Sequence, residues 1–189
     1  MSAPADRERS LLDPGELAAI ARRLGREIKQ DYPDGVVLVA LLKGSVCFLA
    51  DLVRELPGPC ELDFLALSSY GDGRTRVRVV KDLDAEVTGR DVVIVLDIVD
   101  TGLTLDYLFR LVSLRGARSV AACALLDRQS RRLLPVEVRY VGQAIGDEHV
   151  VGYGLDRFEL YRNLPGLKIA EEDDLDADPP AMFERLWRR

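Results

Sequence analysis

Residues 92–105, VVIVLDIVDTGLTL, decide the fold. An apolar run rich in β-branched residues is typical of a buried strand, and here it ends on Asp97 and Asp100. The turn Thr101–Thr104 then leads into a predicted helix. Backbone N–H groups of such a turn, at the N-terminus of a helix, form a cradle for a phosphate group. Gly102 would let the phosphate approach closely, and the two threonines would add hydroxyl donors.

The two carboxylates must serve a different purpose, because they would repel a phosphate. Asp97 and Asp100 could hold ribose hydroxyls, bind a Mg²⁺ ion or accept a proton. The segment has neither the G-x-x-x-x-G-K-[ST] loop nor the G-x-G-x-x-G fingerprint of other phosphate-binding turns. An ordinary strand-to-helix turn with a capping aspartate is the simpler alternative. Two acids at the end of an apolar strand, followed by T-G-x-T, favour a binding site.

Buried strands alternate with helices along the rest of the chain. Asp13, Pro14 and Glu16 read as an N-cap, an N1 proline and a capping-box acid ahead of an amphipathic helix. The alternation predicts an α/β fold with a mostly parallel, doubly wound sheet and flanking helices. Ligands of such sheets bind beyond the carboxyl ends of the strands. The predicted strands cover residues 36–42, 61–70, 76–83, 92–100, 119–126, 136–142 and 150–154, and the predicted helices cover residues 16–28, 47–56, 105–116 and 181–189.

Composition and charge exclude several classes of protein. The 189 residues fit one domain, with 48% hydrophobic and 31% charged residues, as in a globular protein. The 26 basic and 32 acidic residues give a net charge of −6, which argues against a non-specific nucleic-acid or anionic-membrane binder. Six acids lie between residues 171 and 178, and without them 26 acids balance 26 bases. We expect a flexible N-terminus (1–12), a domain (13–170) and a solvated acidic tail (171–189) ending in a short helix.

Cysteine and histidine usage narrows the class further. The chain has three cysteines, Cys47, Cys60 and Cys123. Because their number is odd and they are far apart in the sequence, neither a disulfide framework nor a zinc ribbon is expected. His149 is the only histidine, which excludes a multi-histidine metal site. No apolar run is long enough to cross a bilayer, and the first ten residues lack the apolar core of a secretory signal. We therefore expect free thiols in a cytoplasmic protein.

Residues 92–105 resemble the motif that binds phosphoribosyl pyrophosphate (PRPP) in type I phosphoribosyltransferases. Leu42-Lys43-Gly44 resembles the pyrophosphate loop of the hypoxanthine-guanine branch of this family, and Ser68-Ser69-Tyr70-Gly71 resembles the start of its mobile lid. LLDRQSRR (125–132) is similar to the purine-contacting loop, and VVGYGLDRFELYRNLP (150–165) to the C-terminal signature. The resemblance covers residues 13–170, and the fit is to the short bacterial form.

The resemblance implies the type I phosphoribosyltransferase fold with a small hood and a mobile lid. It implies a purine salvage reaction that transfers 5-phosphoribose from PRPP to a 6-oxopurine, giving IMP or GMP and pyrophosphate. Mg²⁺ is the implied cofactor, and family members are homodimers or homotetramers. Asp100 matches the general base that accepts a proton from N7 of the purine. The peptide bond before the residue matched by Lys43 is often cis in this family.

The resemblance also assigns the other site residues to three groups. PRPP and its phosphates would contact Lys43, Gly44, Ser69, Tyr70, Asp97, Thr101, Gly102, Leu103, Thr104 and Arg162. The purine would contact Arg128, His149, Val150 and Asp156, and Mg²⁺ would be held by Asp97 and Asp156. Ser69 and Tyr70 would close over the reacting atoms and exclude water.

Three residues of the implied site depart from the family pattern. Leu96 stands where the family has a glutamate that holds ribose hydroxyls, and strand alternation places it on the face opposite Asp97. Arg128 replaces a lysine that recognises the 6-oxo group, and His149 replaces an aromatic ring that stacks on the base. The lid segment 71–80 is also shorter than usual.

These departures leave two alternatives to a working 6-oxopurine enzyme. Leu96 and the short lid would suit a non-catalytic or regulatory protein that binds a nucleotide. Arg128 and His149 would suit an enzyme that acts on another purine-like base. A dead site would be expected to lose Asp100 or Lys43, and the chain retains both. We therefore favour the enzyme.

Overall fold

The structure, a computed structural model, describes residues 9–70 and 76–188. Its strands are β1 (Arg9–Leu12), β2 (Val36–Leu42), β3 (Cys60–Tyr70), β4 (Arg76–Lys81), β5 (Asp91–Val99), β6 (Ser119–Asp127), β7 (Tyr140–Ala144), β8 (Val150–Val151) and β9 (Leu167–Ile169). Its helices are α1 (Pro14–Asp31), α2 (Val46–Arg54), α3 (Leu103–Leu114), α4 (Glu172–Ala177) and α5 (Pro179–Trp187).

The start of α1 is fixed by the residues that the sequence singled out. The Asp13 side chain accepts a hydrogen bond from the Glu16 backbone N–H at 2.8 Å, and the Glu16 side chain accepts one from the Asp13 N–H at 2.8 Å. Pro14 occupies the first turn, where its missing N–H costs nothing. This capping box satisfies donors that a helix start leaves unpaired, so α1 begins where predicted.

A six-stranded sheet in the order β4-β3-β2-β5-β6-β7 forms the centre of the fold. The pair β3–β4 is antiparallel, and the other neighbouring pairs are parallel. Strand β5 lies between β2 and β6, and Val37 of β2 pairs with Val92 of β5. Because the three strands run in one direction, their carboxyl ends at Leu42, Val99 and Asp127 meet at one edge of the sheet.

Helices cover both faces of this sheet. Helices α1 and α2 pack on one face through fully buried residues that include Leu24, Ile28 and Phe48. Helix α3 packs on the other face through Leu105 and Leu108. Burial on both faces explains the continuous apolar runs of the central strands. The predicted α/β fold, a mostly parallel doubly wound sheet with flanking helices, is confirmed.

A second, three-stranded antiparallel sheet has the order β1-β9-β8 and places the first described strand beside β9. Arg9 of β1 and Val150 of β8 both pair with Ile169 of β9. Leu12 is buried in the main core at the end of β1. The expectation of a flexible segment over residues 1–12 does not hold for residues 9–12, because backbone pairing and the burial of Leu12 fix them. Residues 1–8 lie outside the described range.

The acidic tail is folded onto the protein through its apolar residues, while its acidic residues remain largely exposed to solvent. Its helices α4 and α5 bury Leu175, Met182 and Leu186 in one cluster with Tyr161 and Leu164. The apolar residues are few and separated by acids, and for this reason composition alone concealed the buried face. The short helix predicted at 181–189 is α5, which begins two residues earlier.

Two predicted strands are shorter than expected. The strand predicted at 136–142 corresponds to β7, which begins only at Tyr140. The strand predicted at 150–154 ends at Val151, because Gly152 and Gly154 have φ values of 101° and 102°. These left-handed values turn the chain out of the extended conformation.

The described residues also bear on the predictions about thiols and membranes. Cys123 is buried, Cys47 and Cys60 are half-buried, and all three are free thiols. In the part of the chain that the structure covers, no helix has the length and apolar character to cross a membrane.

Candidate active site

The turn between β5 and α3 opens onto a small cavity. Gly102 has a φ of 86°, which a glycine adopts without strain, and its carbonyl accepts a hydrogen bond from Asp106 N at 2.9 Å. The N–H groups of the first turn of α3 have no acceptor within the helix. A cavity of about 140 Å³ lies beside them. It is lined by Leu41, Leu96, Ile98, Val99, Asp100, Thr101, Gly102, Thr104 and Leu105. Leu103, predicted with the turn, is about half exposed and does not line it.

Leu96 makes part of this cavity wall apolar. It is 2% exposed and packs in the core cluster of α3. The next residue, Asp97, lies against Gly44, outside that cluster. The two residues therefore lie on opposite faces of β5, as strand alternation predicted. The cavity has a carboxylate from Asp100 and none from position 96.

The loop that follows β6 packs over the β5–α3 turn. The backbone N–H groups of Leu133 and Leu134 donate to Thr101 O at 2.9 and 3.2 Å. A Cβ added to Gly102 would lie 2.8 Å from Val136 Cγ2, closer than real Cβ contacts. Both the left-handed φ and this packing require glycine at position 102.

Asp100 and Arg128 form a pair at the carboxyl ends of β5 and β6. Asp100 Oδ2 lies 3.4 Å from Arg128 Nη1. Asp100 Oδ1 is shielded from solvent and has no hydrogen-bond partner among the described residues. Arg128 is 7% exposed, and its Nε and Nη2 donate to Gly146 O at 2.9 Å and Glu148 O at 2.6 Å. Arg128 is therefore not a solvated surface charge, and its guanidinium holds one oxygen of Asp100 while the other remains available.

Asp97 lies against the loop after β2. A Cβ added to Gly44 would lie 2.6 Å from Asp97 Cγ and closer still to Oδ2. Asp97 Oδ1 accepts a hydrogen bond from Ile98 N at 2.9 Å. Burial raises the pKa of Asp97, and the charge of Asp156 adds to this shift while hydrogen bonds and Arg162 oppose it.

The loop after β2 is itself packed closely by a second glycine. The Leu42–Lys43 peptide bond is cis, as the resemblance implied. A Cβ added to Gly154 would lie 3.1 Å from the carbonyl carbon of Gly44 and closer still to its oxygen. Small residues at positions 44 and 154 therefore let β2, β5 and the segment after β8 meet.

Lys43 and Arg162, the two cations predicted to bind pyrophosphate, share one carboxylate. Glu159 Oε2 lies 3.0 Å from Lys43 Nζ and 3.2 Å from Arg162 Nη2. The hydrogen bonds from Lys43 and then Arg162 lower the pKa of Glu159. Asp156 Oδ1 lies 2.8 Å from Arg162 Nη2, and Arg162 Nη1 donates to Gly154 O at 2.7 Å. The structure thus brings Lys43, Asp156 and Arg162 together around Glu159.

The sequence interpretation missed Glu159. Glu159 and Arg162 have a common spacing of opposite charges, and this spacing did not indicate that Glu159 would also contact Lys43. The contact depends on an unusual backbone in which Phe158, Glu159 and Tyr161 have φ values of 49°, 66° and 72°. Residues other than glycine rarely adopt such values, and no local pattern predicts them.

His149 and Val150 lie where β8 begins. Val150 is buried and pairs with Ile169 of β9. The His149 side chain is half-buried, and its Nδ1 lies 3.3 Å from Glu172 Oε1 of α4. Burial lowers the pKa of His149, and the charge of Glu172 opposes this shift. His149 is therefore not an ordinary surface histidine.

Two further sets of predicted residues have a less complete description. Ser69 and Tyr70, at the predicted start of the lid, are the last residues of β3, and their side chains and residues 71–75 lie outside the description. Among residues 9–70 and 76–188, no group of three or more His, Cys, Asp or Glu is placed to hold a metal ion. Asp97 and Asp156 give two carboxylates. Two suffice for Mg²⁺, which commonly takes one or two protein carboxylates and completes its shell with water and phosphate oxygens.

A larger cavity lies at the opposite, amino-terminal edge of the sheet. Its volume is about 450 Å³, and its lining includes Glu61, Arg90, Asp91 and Arg118. These charges are already paired, Arg90 with Glu61 and Arg118 with Asp91. The unpaired carboxylate oxygen and the phosphate-type turn are at the carboxyl edge, so we place the candidate active site there.

Comparisons with known proteins point to one family. Residues 9–157 match the family model described as the phosphoribosyl transferase domain. The chain is 46% identical over 161 residues to the hypoxanthine phosphoribosyltransferase of Salmonella typhimurium, covering 82% of this chain and 90% of that protein. It is 43% identical over 171 residues to the hypoxanthine-guanine phosphoribosyltransferase of Mycobacterium avium, covering 85% and 84%.

Solved structures give the same answer for the fold. A hypoxanthine phosphoribosyltransferase from Staphylococcus aureus superposes with a TM-score of 0.85 at 36% identity, covering 94% of this chain and 98% of that one. A hypoxanthine-guanine phosphoribosyltransferase from Bacillus anthracis gives a TM-score of 0.83 at 36% identity, covering 86% and 98%. From the family match, the curated relatives and these structures together, it follows that the chain belongs to the phosphoribosyltransferase family, in its hypoxanthine phosphoribosyltransferase branch.

Proposed function

We propose that this chain transfers 5-phosphoribose from PRPP to N9 of a 6-oxopurine, hypoxanthine or guanine, and releases pyrophosphate. The observation that carries the proposal is Asp100: one of its oxygens is held by Arg128, and the other is shielded and unpartnered beside the phosphate-type turn. A general base must be positioned and have a free acceptor oxygen, and Asp100 meets both conditions. The products, IMP or GMP, place the reaction in purine salvage.

The 5′-phosphate would bind in the cavity beside the β5–α3 turn. Backbone N–H groups of residues 101–104 would meet its oxygens, with help from the hydroxyls of Thr101 and Thr104. The left-handed Gly102 supports this proposal, because it lets the chain turn sharply at the helix start. The ribose hydroxyls would lie near Asp97 and Asp100, since Leu96 offers them only an apolar wall.

The purine would bind between Asp100 and the start of β8. Arg128 would donate to the 6-oxo group with the N–H groups that Gly146 and Glu148 leave free. The His149 ring would stack on the base, and the backbone of Val150 would contact its edge. Asp156 would lie nearer the pyrophosphate than the base, because it is paired with Arg162.

Pyrophosphate would bind to Lys43, the backbone of Gly44 and Arg162. Phosphate oxygens can replace the carboxylate of Glu159, which is exposed and holds the same two cations. The planar guanidinium of Arg162 suits phosphate oxygens, and Arg162 is already oriented by Gly154 O and Asp156. Ser69 and Tyr70 would complete the enclosure by excluding water.

In the reaction, the bond from C1 of the ribose to the pyrophosphate oxygen breaks, and a bond from C1 to N9 of the purine forms. The pyrophosphate leaves with the electron pair, and Asp100 takes the proton from N7. The transition state resembles an oxocarbenium ion, so positioning and electrostatic complementarity supply most of the rate enhancement.

Mg²⁺ fits the acidic part of this site. Burial is the main cause of the raised pKa of Asp97, the charge of Asp156 adds to it, and a nearby cation would offset both effects. These two carboxylates would hold the ion together with oxygens of PRPP and water. When bound, the ion would neutralise charge on the pyrophosphate.

Family membership also supports two proposals about the protein in the cell. We propose a cytoplasmic enzyme that forms a homodimer or homotetramer and binds neither nucleic acid nor membrane. Light scattering coupled to size-exclusion chromatography measures the oligomer directly, and a monomer at micromolar concentration would contradict the proposed homodimer or homotetramer.

Two observations favour second candidates. The apolar wall at Leu96 favours a regulatory protein that binds a nucleotide without turning it over. Arg128 and His149 favour an enzyme for another purine-like base. One assay separates the three: purified protein, Mg²⁺ and PRPP are mixed in turn with hypoxanthine, guanine, xanthine and adenine, and nucleotide formation is followed.

Product with hypoxanthine or guanine is expected, and the Asp100→Asn variant controls for a contaminating enzyme. Product with xanthine or adenine alone would favour an enzyme for another purine-like base. No product with any base, under conditions where a related enzyme works, would contradict the proposed function.

A further inference from the structure

His149 and the tail are joined by backbone as well as by side chains. Val150 pairs with Ile169 at the β8–β9 ladder, and the next step of the chain brings Ala170 N to His149 O at 3.2 Å. Helix α4 begins two residues later with Glu172. The carboxylate of Glu172 therefore lies beside the histidine ring, with Oε1 at 3.3 Å from Nδ1.

Glu172 is held in place and is not a freely moving surface acid. Its Oε2 accepts a hydrogen bond from Arg157 Nη1 at 2.7 Å. Arg157 in turn donates from Nε and Nη2 to Asp176, one turn further along α4, at 2.9 and 2.6 Å. The Tyr161 hydroxyl donates to the carbonyl of the buried Leu175 at 2.8 Å. These bonds anchor α4, and with it Glu172, to the loop that carries Asp156 and Arg162.

The second ring nitrogen of His149 is in a different environment. Nε2 is shielded from solvent and has no hydrogen-bond partner in the described part of the chain. Four charged groups act on the ring. The acids Glu172 and Asp176 raise the pKa of His149, and the cations Arg157 and Arg128 lower it. Among the residues that the structure describes, only Glu172 is within ion-pair distance of a ring nitrogen. A carboxylate within ion-pair distance of one imidazole nitrogen favours the proton on that nitrogen, so Glu172 favours Nδ1–H and leaves Nε2 as an acceptor.

We propose that Glu172 is a positioning residue for His149: it fixes the tautomer and orientation of the ring, and thereby makes the C-terminal tail a part of the base subsite. The inference rests on the proposed function, because the ring meets a purine only if the site binds one. A carboxylate that orients a functional imidazole through its other nitrogen is a general device. Here the device comes from a segment that the sequence had described as a solvated tail.

The first test reads the ring itself. His149 is the only histidine, so the imidazole ¹⁵N shifts of the labelled protein come from one ring. We expect Nδ1–H in the wild type, a shift to Nε2–H in Glu172→Ala, and return to Nδ1–H in Glu172→Gln, which keeps an acceptor oxygen. Asp173→Ala, an exposed neighbour in the same turn of α4, should leave the wild-type pattern. An unchanged pattern in Glu172→Ala would overturn the inference, and this readout needs no activity.

The second test asks whether the orientation reaches the substrate. Glu172→Ala should raise KM for the purine about five-fold, the scale of one partly exposed ion pair, while KM for PRPP changes by less than about two-fold. Glu172→Gln should restore most of the loss. Asp176→Asn, which weakens the same Arg157 clamp without touching the ring, should leave both constants near wild type. Equal increases in both KM values would mean that the tail only supports the fold, and would overturn the inference.

A double-mutant cycle closes the test. In the His149→Phe background, Glu172→Ala should change KM for the purine by less than about two-fold, because the residue through which it acts is gone. A full five-fold effect there would overturn the inference. If the wild type makes no nucleotide with any base, the proposed function fails together with the role in base binding, while the nitrogen shifts still decide whether Glu172 orients the ring.

Discussion

Replacing Gly44 with alanine should damage the site far more than the fold. The added Cβ would lie 2.6 Å from Asp97 Cγ and closer to Oδ2, whereas ordinary contacts begin near 3.4 Å. The carboxyl group of Asp97 must therefore move by about 0.8 Å or more. It is the end of a side chain, so it can rotate away without displacing β5.

The two consequences of this rotation differ in size. The fold loses the hydrogen bond from Ile98 N to Asp97 Oδ1 and becomes slightly overpacked. Together these effects should lower the free energy of unfolding by about 1–2 kcal/mol. Catalysis loses the placement of a carboxylate that we assign to the ribose hydroxyls and Mg²⁺. A misplacement near 1 Å commonly costs about 100-fold in rate, so we expect kcat/KM for PRPP to fall by about that factor.

Steady-state kinetics with hypoxanthine and unfolding in urea measure the two effects separately. Gly89→Ala is the control, because its φ of 69° imposes backbone strain while no atom lies within 4 Å of the new Cβ. It should lower stability and leave kcat/KM near wild type. Asp97→Ala in the Gly44→Ala background removes the clash and should return most of the lost stability without restoring activity. Gly44→Ala with kcat/KM within about three-fold of wild type would refute the placement of Asp97 in the PRPP site.

Three further substitutions test other parts of the structure. Leu96→Glu should tighten PRPP or nucleotide binding about five-fold in calorimetry by adding an acceptor to the cavity wall, and unchanged affinity would show that the family glutamate is compensated here. Asp100→Asn should lower kcat by about 100-fold or more while PRPP affinity stays within about two-fold, and turnover near wild type would contradict the general-base assignment. Burial raises the pKa of Asp63, but hydrogen bonds from Ala85, Phe64 and Asp84 outweigh it and leave the pKa lowered. The ionised Asp63 therefore stabilises the fold at pH values above its ordinary pKa of 3.8. This stabilisation is lost as the pH falls through the lowered pKa. Asp63→Asn should cost about 2 kcal/mol in urea unfolding at pH 7 and less below about pH 4, and a deficit that grows on acidification would contradict this.

Much of the fold was predictable because local signals and tertiary packing agree. The apolar runs of β2, β5 and β6 are buried on both faces, and the Asp13–Glu16 capping box forms as its spacing predicts. Parallel pairing then brings the ends of these strands to one edge. The meeting of Gly44 with Asp97 follows from this topology, and the resemblance named both residues.

The remainder depended on features that no short pattern encodes. Glu159 reaches Lys43 and Arg162 because three neighbouring residues other than glycine adopt left-handed backbone values. The early end of β8 depends on Gly152 and Gly154, whose turn the alternating V-V-G-Y-G letters concealed. These backbone conformations depend on packing between residues that are far apart in the sequence, such as the contact of Gly154 with Gly44. Local propensity does not predict them.

The net charge shows how a sum over the sequence can mislead about a site. Six acids of the tail account for the whole excess, and their composition suggested a solvated segment. Two of them, Glu172 and Asp176, are bound by Arg157, the residue that follows Asp156 in the chain. Neutralising these two should therefore lower the free energy of unfolding, whereas neutralising the exposed Asp173 should change only the charge. Equal effects of the two kinds of substitution on stability in urea unfolding would mean that net charge, and not the Arg157 contacts, is what matters.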